Sequence, residues 1–428
     1  MSNIGKKIFV AMSGGVDSSV AAALLKNDGY DVTGVHMVCW EGCQNSQDRR
    51  DAMKVAAILS IPFLTWDFRE EYKKSVYDYM IGEYMAGRTP NPDVMCNKQI
   101  KFGVFLKKAL ENGADFIATG HYVCLKQTPR LLSKSFRRRE KLGLPALGLR
   151  DGAAGSFRAE NADNRRPQEP TNYRFEKVNE ASALYQAKDQ NKDQSYFLWT
   201  LTQDQLKYCL FPIGDYLKSE VRGLAAKFCL PTSEKKDSQG LCFVGKVDFL
   251  DFLAEKLPQK TGAILNSDGI KIGEHRGAHL FTIGQRHGLF LGSTKHEARS
   301  TKPVYVTEKD IATNTIMVAE EKNDVLYKKE IELCDINWIS KPTQECFARI
   351  RYRQPLQKCA IEYKNNSTPL EERDSLSSLP PPLTLRGGGL GEELLVLFDT
   401  PQRAVSPGQS VVFYDENGGM LGGGIIVA

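Results

Sequence analysis

No apolar run in this chain reaches the ~20 residues that a membrane-spanning helix needs, and the first residues lack the apolar core of a secretory leader. Cytoplasmic residence with no membrane partner is the resulting expectation. Paired CxxC motifs are also missing. Cys39 and Cys43 form a lone C-x3-C with His36 nearby, and nothing completes four ligands, so neither zinc nor an iron–sulfur cluster is expected. In a reducing compartment the 10 cysteines should be thiols, reactive ones among them, rather than structural bridges. Charge is nearly balanced, 57 Lys+Arg against 52 Asp+Glu for a net +5. That permits a nucleic-acid partner only where basic residues cluster. A Walker loop is absent too. Gly240 to Lys246 has the GxxxxGK spacing, but Val247 stands where the magnesium-binding hydroxyl belongs, and no apolar strand precedes it.

The chain does offer 428 residues, 41% hydrophobic and 25% charged, the profile of a soluble enzyme of two or three domains. Its most specific stretch is IFVAMSGGVDSSVAAALL. Ile8 to Met12 is an apolar run of strand length, Ser13-Gly14-Gly15 a sharp turn, and Val16 onward repeats apolar residues at helical spacing until Gly29. The glycines admit close backbone approach, and amides at a helix N-terminus favour an anion. Ser13 and Ser18 add hydroxyls, and Asp17 is a candidate cap. Strand, turn and helix start together make a phosphate cradle. The string SGGVDS resembles the pyrophosphate loop of the ATP-pyrophosphatase group, which implies ATP-driven activation of a carbonyl oxygen as an adenylate, with Mg²⁺ accompanying the ATP.

Residues 8 to about 125 alternate short β-rich runs (IFVAM, DVTGVHMV, IPFLTWDF, ADFIATGHYV) with helical stretches. This is the pattern of an α/β domain with an open parallel sheet, whose ligands sit at the carboxyl ends of the strands. The turns after Met12, Val35 and Ala118 should converge there, with Met37 and Gly120 lining the pocket. From Gln203 to about Lys260 the pattern reads as helical (QLKYCLF, SEVRGLAAKF, VDFLDFLAEKL), and beyond Phe281 short β runs suggest a small barrel or sandwich. Low-complexity stretches at about 130–171, containing Arg137-Arg138-Arg139, and about 365–393 read as dispensable inserts. The expected division is 1–202, 203–282 and 283–428.

Two cysteines stand out. Cys96 lies in GRTPNPDVMCNKQIKF, with Asp93 three residues before it and Lys98 and Lys101 after it. Cys242 lies in KKDSQGLCF beside Lys235 and Lys236. A positive setting enriches the thiolate, the reactive form of cysteine. Read alone, each is more often an ordinary buried cysteine than a reactive one.

In order along the chain, SGGVDSSV, AGRTPNPDVMCNKQIKF, ATGHYV, NKDQSYFL, KKDSQGLCF, TIGQRHGL and LGGGII resemble the tRNA-specific 2-thiouridylases, over nearly everything except the two inserts. The resemblance implies an adenine nucleotide alpha-hydrolase-like domain, a small mixed central domain and a C-terminal β-barrel. It implies ATP bound by Ala11, Met12, Ser13, Gly14, Gly15, Val16, Asp17 and Ser18, with Met37 and Gly120. Cys96 would be the nucleophile, Cys242 the persulfide carrier, and Asp93 an acid/base. Asn91, Pro92 and Asp93 would approach the target base; Lys192, Asp193, Gln194, Arg351 and Tyr352 would contact tRNA. The implied partner is a tRNA with a wobble uridine; the sulfur donor, a persulfide-carrier protein or a cysteine desulfurase, is not told apart by the sequence, and a monomer is the default expectation. A Cys96–Cys242 disulfide would close each cycle. An amidotransferase-linked synthetase would need a glutaminase motif, and a cluster-dependent thiolase would need CxxC pairs; neither is visible. An RNA-binding protein without turnover is the non-enzymatic alternative.

Overall fold

The computed structural model describes residues 5–40, 43–127, 182–236, 249–257, 259–291, 303–363 and 393–427. Cys242 and both low-complexity inserts, apart from Glu393, lie outside them, as does the Gly240–Lys246 run.

The first sheet comprises β1 (Lys7–Ala11), β2 (Asp31–Val38), β3 (Phe63–Asp67), β4 (Phe116–Ala118) and β7 (Cys209–Leu210), in the order β3-β2-β1-β4-β7. Every pairing is parallel, with Ala11 opposite Val35 and Ile8 opposite Phe116. Alternation explains the all-apolar β1. Ile8, Val10 and Met12 point into one core with α1 (Val16–Asn27), while Phe9 and Ala11 point into another on the opposite face. A strand buried on both sides reads as a continuous hydrophobic run. The strand order reverses between β1 and β4, the switch point at which open α/β sheets bind ligands.

Three expectations need correction. QLKYCLF is not helical throughout: a short helix, Gln203–Leu206, ends in a turn, and Cys209–Leu210 becomes the fifth strand of the parallel sheet. The helix Lys218–Lys227 packs Val221 and Ala225 against α1, so the sheet domain runs well past residue 202. Cys209–Leu210 is strand rather than helix because β4 offers a free edge, where Cys209 pairs with Ile117 and Leu210 with Ala118. Second, β2 continues to Val38, so its turn lies three residues beyond the Val35 of the sequence reading. Third, the β-rich region is two bodies rather than one starting at 283. Strands β8 (Gly262–Leu265), β9 (Lys271–His275), β10 (Phe290–Leu291), β11 (Val304–Asp310) and β12 (Thr315–Glu320) make a five-stranded central sheet. The helix Phe249–Lys256 and the helix Asp78–Met85 of the first domain share its apolar core.

The closed barrel begins only at Tyr327. It runs β13 (Tyr327–Trp338), β16 (Leu394–Arg403), β15 (Gln357–Tyr363), β14 (Glu345–Arg349), β17 (Ser410–Tyr414) and β18 (Met420–Ile426). A ribbon of β5 (Cys124–Gln127) and β6 (Ser182–Tyr185) spans the first insert. No helix among the described residues is long and apolar enough to cross a membrane.

Candidate active site at the carboxyl edge of the parallel sheet

Ser13-Gly14-Gly15 turns the chain from β1 into α1. Gly14 sits at φ +79°, and a Cβ there would collide with the Asp48 carbonyl of α2 (Cys43–Ile58). The N-cap of α1 is Gly15, not Asp17 as its sequence suggests. The turn is held by Ser13 and Ser18, whose hydroxyls lie 3.2 Å apart, with the Ser13 N–H donating to Ser18 Oγ at 3.2 Å and the Gly15 N–H to Ser13 Oγ at 3.3 Å. Asp17 is free to point outward. Its carboxylate accepts from Lys218 Nζ at 2.7 and 2.9 Å and from the Tyr122 hydroxyl at 2.8 Å.

Gly120 makes its close approach to this helix start rather than to open space. A Cβ on it would come within 2.6 Å of the Ser18 nitrogen, so the loop after β4 fits against the phosphate turn only with glycine there. Met37 is buried on β2 beside Ala11. His36 Nδ1–H donates to the Met12 carbonyl at 2.9 Å, and burial holds the ring below its ordinary pKa. A neutral ring with its proton on Nδ1 satisfies that carbonyl, so His36 braces the start of the turn. Among the described residues no group of three or more His, Cys, Asp or Glu side chains could hold a metal.

Two lysines that sequence reasoning did not place stand on either side of the turn. Lys218 holds Asp17. Lys235 donates to the Gly14 carbonyl at 3.0 Å, to Asp48 at 2.8 Å and to Asp51 at 2.6 Å. These carboxylates raise the Lys235 ammonium above its usual pKa against the opposing effect of burial, and Lys235 holds the Asp51 carboxyl below its own. The only sequence signal for Lys235 was its position seven residues before Cys242. Lys218 had none, because its partner is 201 residues away.

Cys96 closes the short helix Pro92–Cys96. Asn91 caps that helix, its side chain accepting from the Val94 N–H at 3.3 Å, and Pro92 occupies the first turn, where a missing N–H costs nothing. The chain then widens into a π-helical segment, Asn97–Val104. Such widenings recur at functional sites. Cys96 is fully buried in the same apolar cluster as Ala11, Met37 and Cys39. Gly120 thus packs on the turn itself, Ala11, Met37 and Cys96 share one apolar cluster, and Asp93 remains partly exposed in the first turn of its helix.

Lys98 and Lys101 do not simply surround the sulfur with charge. Burial lowers the Lys98 pKa, and Lys101 Nζ lies 3.4 Å from His121 Nε2. His121 is fully enclosed, its Nδ1 2.7 Å from Thr119 Oγ1, and burial pushes its pKa well down. A neutral His121 thus links the loop after β4 to the π-helical segment that follows Cys96.

The tRNA candidates divide. Asp193 is buried: it accepts from the Ala187 and Ser195 N–H groups at 3.1 and 3.2 Å and pairs with Arg349 of β14 at 3.2 Å. Gln194 accepts from the Tyr122 N–H at 2.9 Å, and its own N–H donates to the Tyr122 carbonyl at 2.8 Å. Arg351 reaches the Ala404 carbonyl at 2.7 Å. Of these three only Asp193 is buried; Gln194 and Arg351 are half-buried, each committed to a partner within the protein. Tyr352 stacks on Phe197 with centroids 4.7 Å apart, under the Arg353 guanidinium, and is partly exposed, as is Lys192. Nothing in a linear string distinguishes a half-buried Lys192 from its buried neighbour Asp193.

Family models match the chain in three blocks. One described as tRNA methyl transferase HUP domain covers residues 6–142 and 170–246, and one described as tRNA methyl transferase PRC-barrel domain covers 250–320. One described as Aminomethyltransferase beta-barrel domain covers 389–426. The chain is 40% identical over 433 residues to a tRNA-specific 2-thiouridylase MnmA from Francisella philomiragia, covering 98% of this chain and 99% of the relative. It is 38% identical over 434 residues to the one from Francisella tularensis subsp. novicida, covering 99% of each. Among solved structures, the U34-tRNA thiolase NcsA from Methanococcus maripaludis is a remote likeness: 15% identity, TM-score 0.31, covering 60% of this chain and 67% of that one.

Proposed function

This chain belongs to the tRNA-specific 2-thiouridylase family, and on that premise we propose that it catalyses ATP-dependent 2-thiolation of a wobble uridine in tRNA. The observation that carries the proposal is the SGGVDS turn at the carboxyl end of β1, with Cys96 sharing one apolar cluster with Ala11, the last residue of that strand, and with Met37.

The uracil C2 oxygen is a poor leaving group. Its attack on the α-phosphorus of ATP forms an O2–AMP bond and expels pyrophosphate, so that a stable phosphate monoester departs later. Charge on the departing pyrophosphate is stabilised by the amides of Gly14, Gly15 and the first turn of α1, and by the ammonium groups of Lys218 and Lys235 beside them. Mg²⁺ would be held mainly by the nucleotide's own phosphates, with Asp17, paired to Lys218, and Asp48 and Asp51, paired to Lys235, the carboxylates beside the turn. It supplies charge neutralisation there.

Sulfur arrives as a persulfide on Cys242. Its terminal sulfur bonds to C2 and AMP leaves; the Cys96 thiolate then attacks the Cys242 sulfur, and the S–S bond breaks with its electron pair remaining on the sulfur of 2-thiouridine. Alternatively Cys96 cleaves the persulfide first and the released sulfide attacks C2. Both routes leave a Cys96–Cys242 disulfide that an external reductant must open. Asp93 serves as the acid/base at the uracil. The base must be splayed from the anticodon stack to reach this site, and a fully buried Cys96 requires the covering chain to shift as it enters. Asn91 and Pro92 border that approach, and Lys192 and Tyr352 are the partly exposed groups for tRNA. Persulfide is delivered by a carrier protein or a cysteine desulfurase.

The test is direct. Protein, ATP, Mg²⁺, a sulfur-loaded desulfurase and unmodified tRNA should give 2-thiouridine by nucleoside mass spectrometry. Binding of ATP and tRNA without product, with a known thiouridylase active in parallel, would instead mark an RNA-binding protein without turnover. A second expectation concerns Lys192. If it meets a phosphate, Lys192→Met lowers the slope of log affinity against log salt by about 1, and Arg351→Met, which removes a guanidinium already committed within the protein, leaves that slope in place. An unchanged slope for Lys192→Met would exclude the phosphate contact.

A further inference from the structure

We propose that Gln409 of the C-terminal barrel is a positioning residue for this reaction, holding the peptide that carries Asn91, Pro92, Asp93 and Cys96. The role rests on the thiolation reading above. Gln409 immediately precedes β17, and its own backbone is fixed: its N–H donates to Ser406 at 3.1 Å and its carbonyl accepts from Ile426 at 2.8 Å. From that anchored position its side-chain amide donates to the Thr89 carbonyl at 2.8 Å and to the Pro90 carbonyl at 3.1 Å.

The same contact is reinforced by its neighbours. The Thr89 N–H donates to the Pro407 carbonyl at 2.8 Å, and the Thr89 hydroxyl lies 3.3 Å from that of Thr282 in the central domain. Gly408, at φ +89°, lets the two backbones meet: a Cβ on it would stand 3.0 Å from Thr89 N, C and O. All three domains thus converge on one residue, two positions before Asn91.

The chemistry of the segment explains why it needs an outside hold. Pro90 and Pro92 have no N–H, so Thr89–Pro92 cannot be tied down by its own amides at those positions. What it can offer is carbonyl oxygens. One –NH₂ group, with two protons, answers two of them, whereas a carboxylate of the same shape would face them as a third acceptor. Downstream, Asn97 Nδ2 donates to the Phe197 carbonyl at 3.0 Å, so the stretch holding Asp93 and Cys96 is gripped at both ends. The seating of the barrel therefore sets where the carboxyl and the thiol stand relative to the phosphate turn.

Gln409→Met and Gln409→Glu, made in the full-length enzyme, test this. The single-turnover thiolation rate should fall about 10- to 100-fold, the range for a displacement near 1 Å, with tRNA affinity little changed. Independently of activity, Cys96 should be alkylated faster by iodoacetamide and the amides of residues 89–96 should exchange faster, while β17, β18 and the thermal midpoint keep their wild-type behaviour. Unchanged thiolation with unchanged Cys96 labelling would overturn the proposal. So would an effect confined to tRNA affinity, or a loss of protection spread through the barrel. A wild-type protein that makes no 2-thiouridine would overturn the thiolation reading, and the labelling and exchange measurements would still decide whether Gln409 holds the segment.

Discussion

Cys96→Ala should abolish 2-thiouridine formation, by on the order of 10³-fold or more, while ATP and tRNA binding stay near wild type. On the proposed route the alanine removes the thiolate that opens the Cys242 persulfide, and Cys39, in the same apolar cluster, is itself fully buried. Cys242→Ala should lose as much, and the double variant no more than either, because the two cysteines act as one unit and such effects do not add. A small dithiol separates their roles. Supplied in solution, it can open a persulfide in place of Cys96 and should restore part of the activity of Cys96→Ala. It cannot replace the atom that carries the sulfur, so Cys242→Ala should stay inactive. Single-turnover assays with and without the dithiol, read by nucleoside mass spectrometry, are the measurement. Cys96→Ala working at more than a tenth of the wild-type rate without added thiol would remove Cys96 from the mechanism.

Asp193→Ala should destabilise the protein by about 3–5 kcal/mol, the cost of stripping one partner from a buried ion pair. The Asp193 side chain is 0% exposed and that of Arg349 5%. Losing the carboxylate leaves a guanidinium enclosed between the first domain and the barrel, and also frees the Ala187 and Ser195 N–H groups. Arg349 additionally lies over the Tyr414 ring, 4.8 Å from its centroid, so the defect reaches the barrel wall. Denaturant unfolding without tRNA gives the measurement. Asp193→Ala combined with Arg349→Leu should recover part of the loss, since the second change removes the stranded charge. If Asp193→Ala leaves the free protein's stability intact and weakens only tRNA binding, the residue is an RNA contact after all and the domain-locking role is wrong.

That pair marks the boundary of what a linear reading could reach. The KDQ string invited a single role for three neighbours, and the fold gives them separate surroundings: Lys192 half-buried, Asp193 locked to β14, Gln194 clamped to Tyr122. Arg351 is similar, its guanidinium committed to the Ala404 carbonyl. Side-chain direction at a loop depends on which distant surface packs beneath it, and no local spacing encodes that.

By itself the sequence determined the strand–turn–helix of SGGVDS, the parallel sheet behind it and the presence of a β-rich C-terminal body, because each rests on local rules. Period-2 apolar runs make strands, Gly at positive φ makes the turn, and 3.6-period repeats make α1. Only the tertiary structure decided that Cys209–Leu210 joins the sheet, that the barrel starts at Tyr327, and that Lys218, Lys235 and Gln409 reach the site from 201, 221 and 320 residues away. Those contacts exist because chain closure brings remote segments to one edge, where an ammonium meets a carboxylate or an amide meets a carbonyl. Each such bond is decided by distance in space and leaves no periodicity in the string.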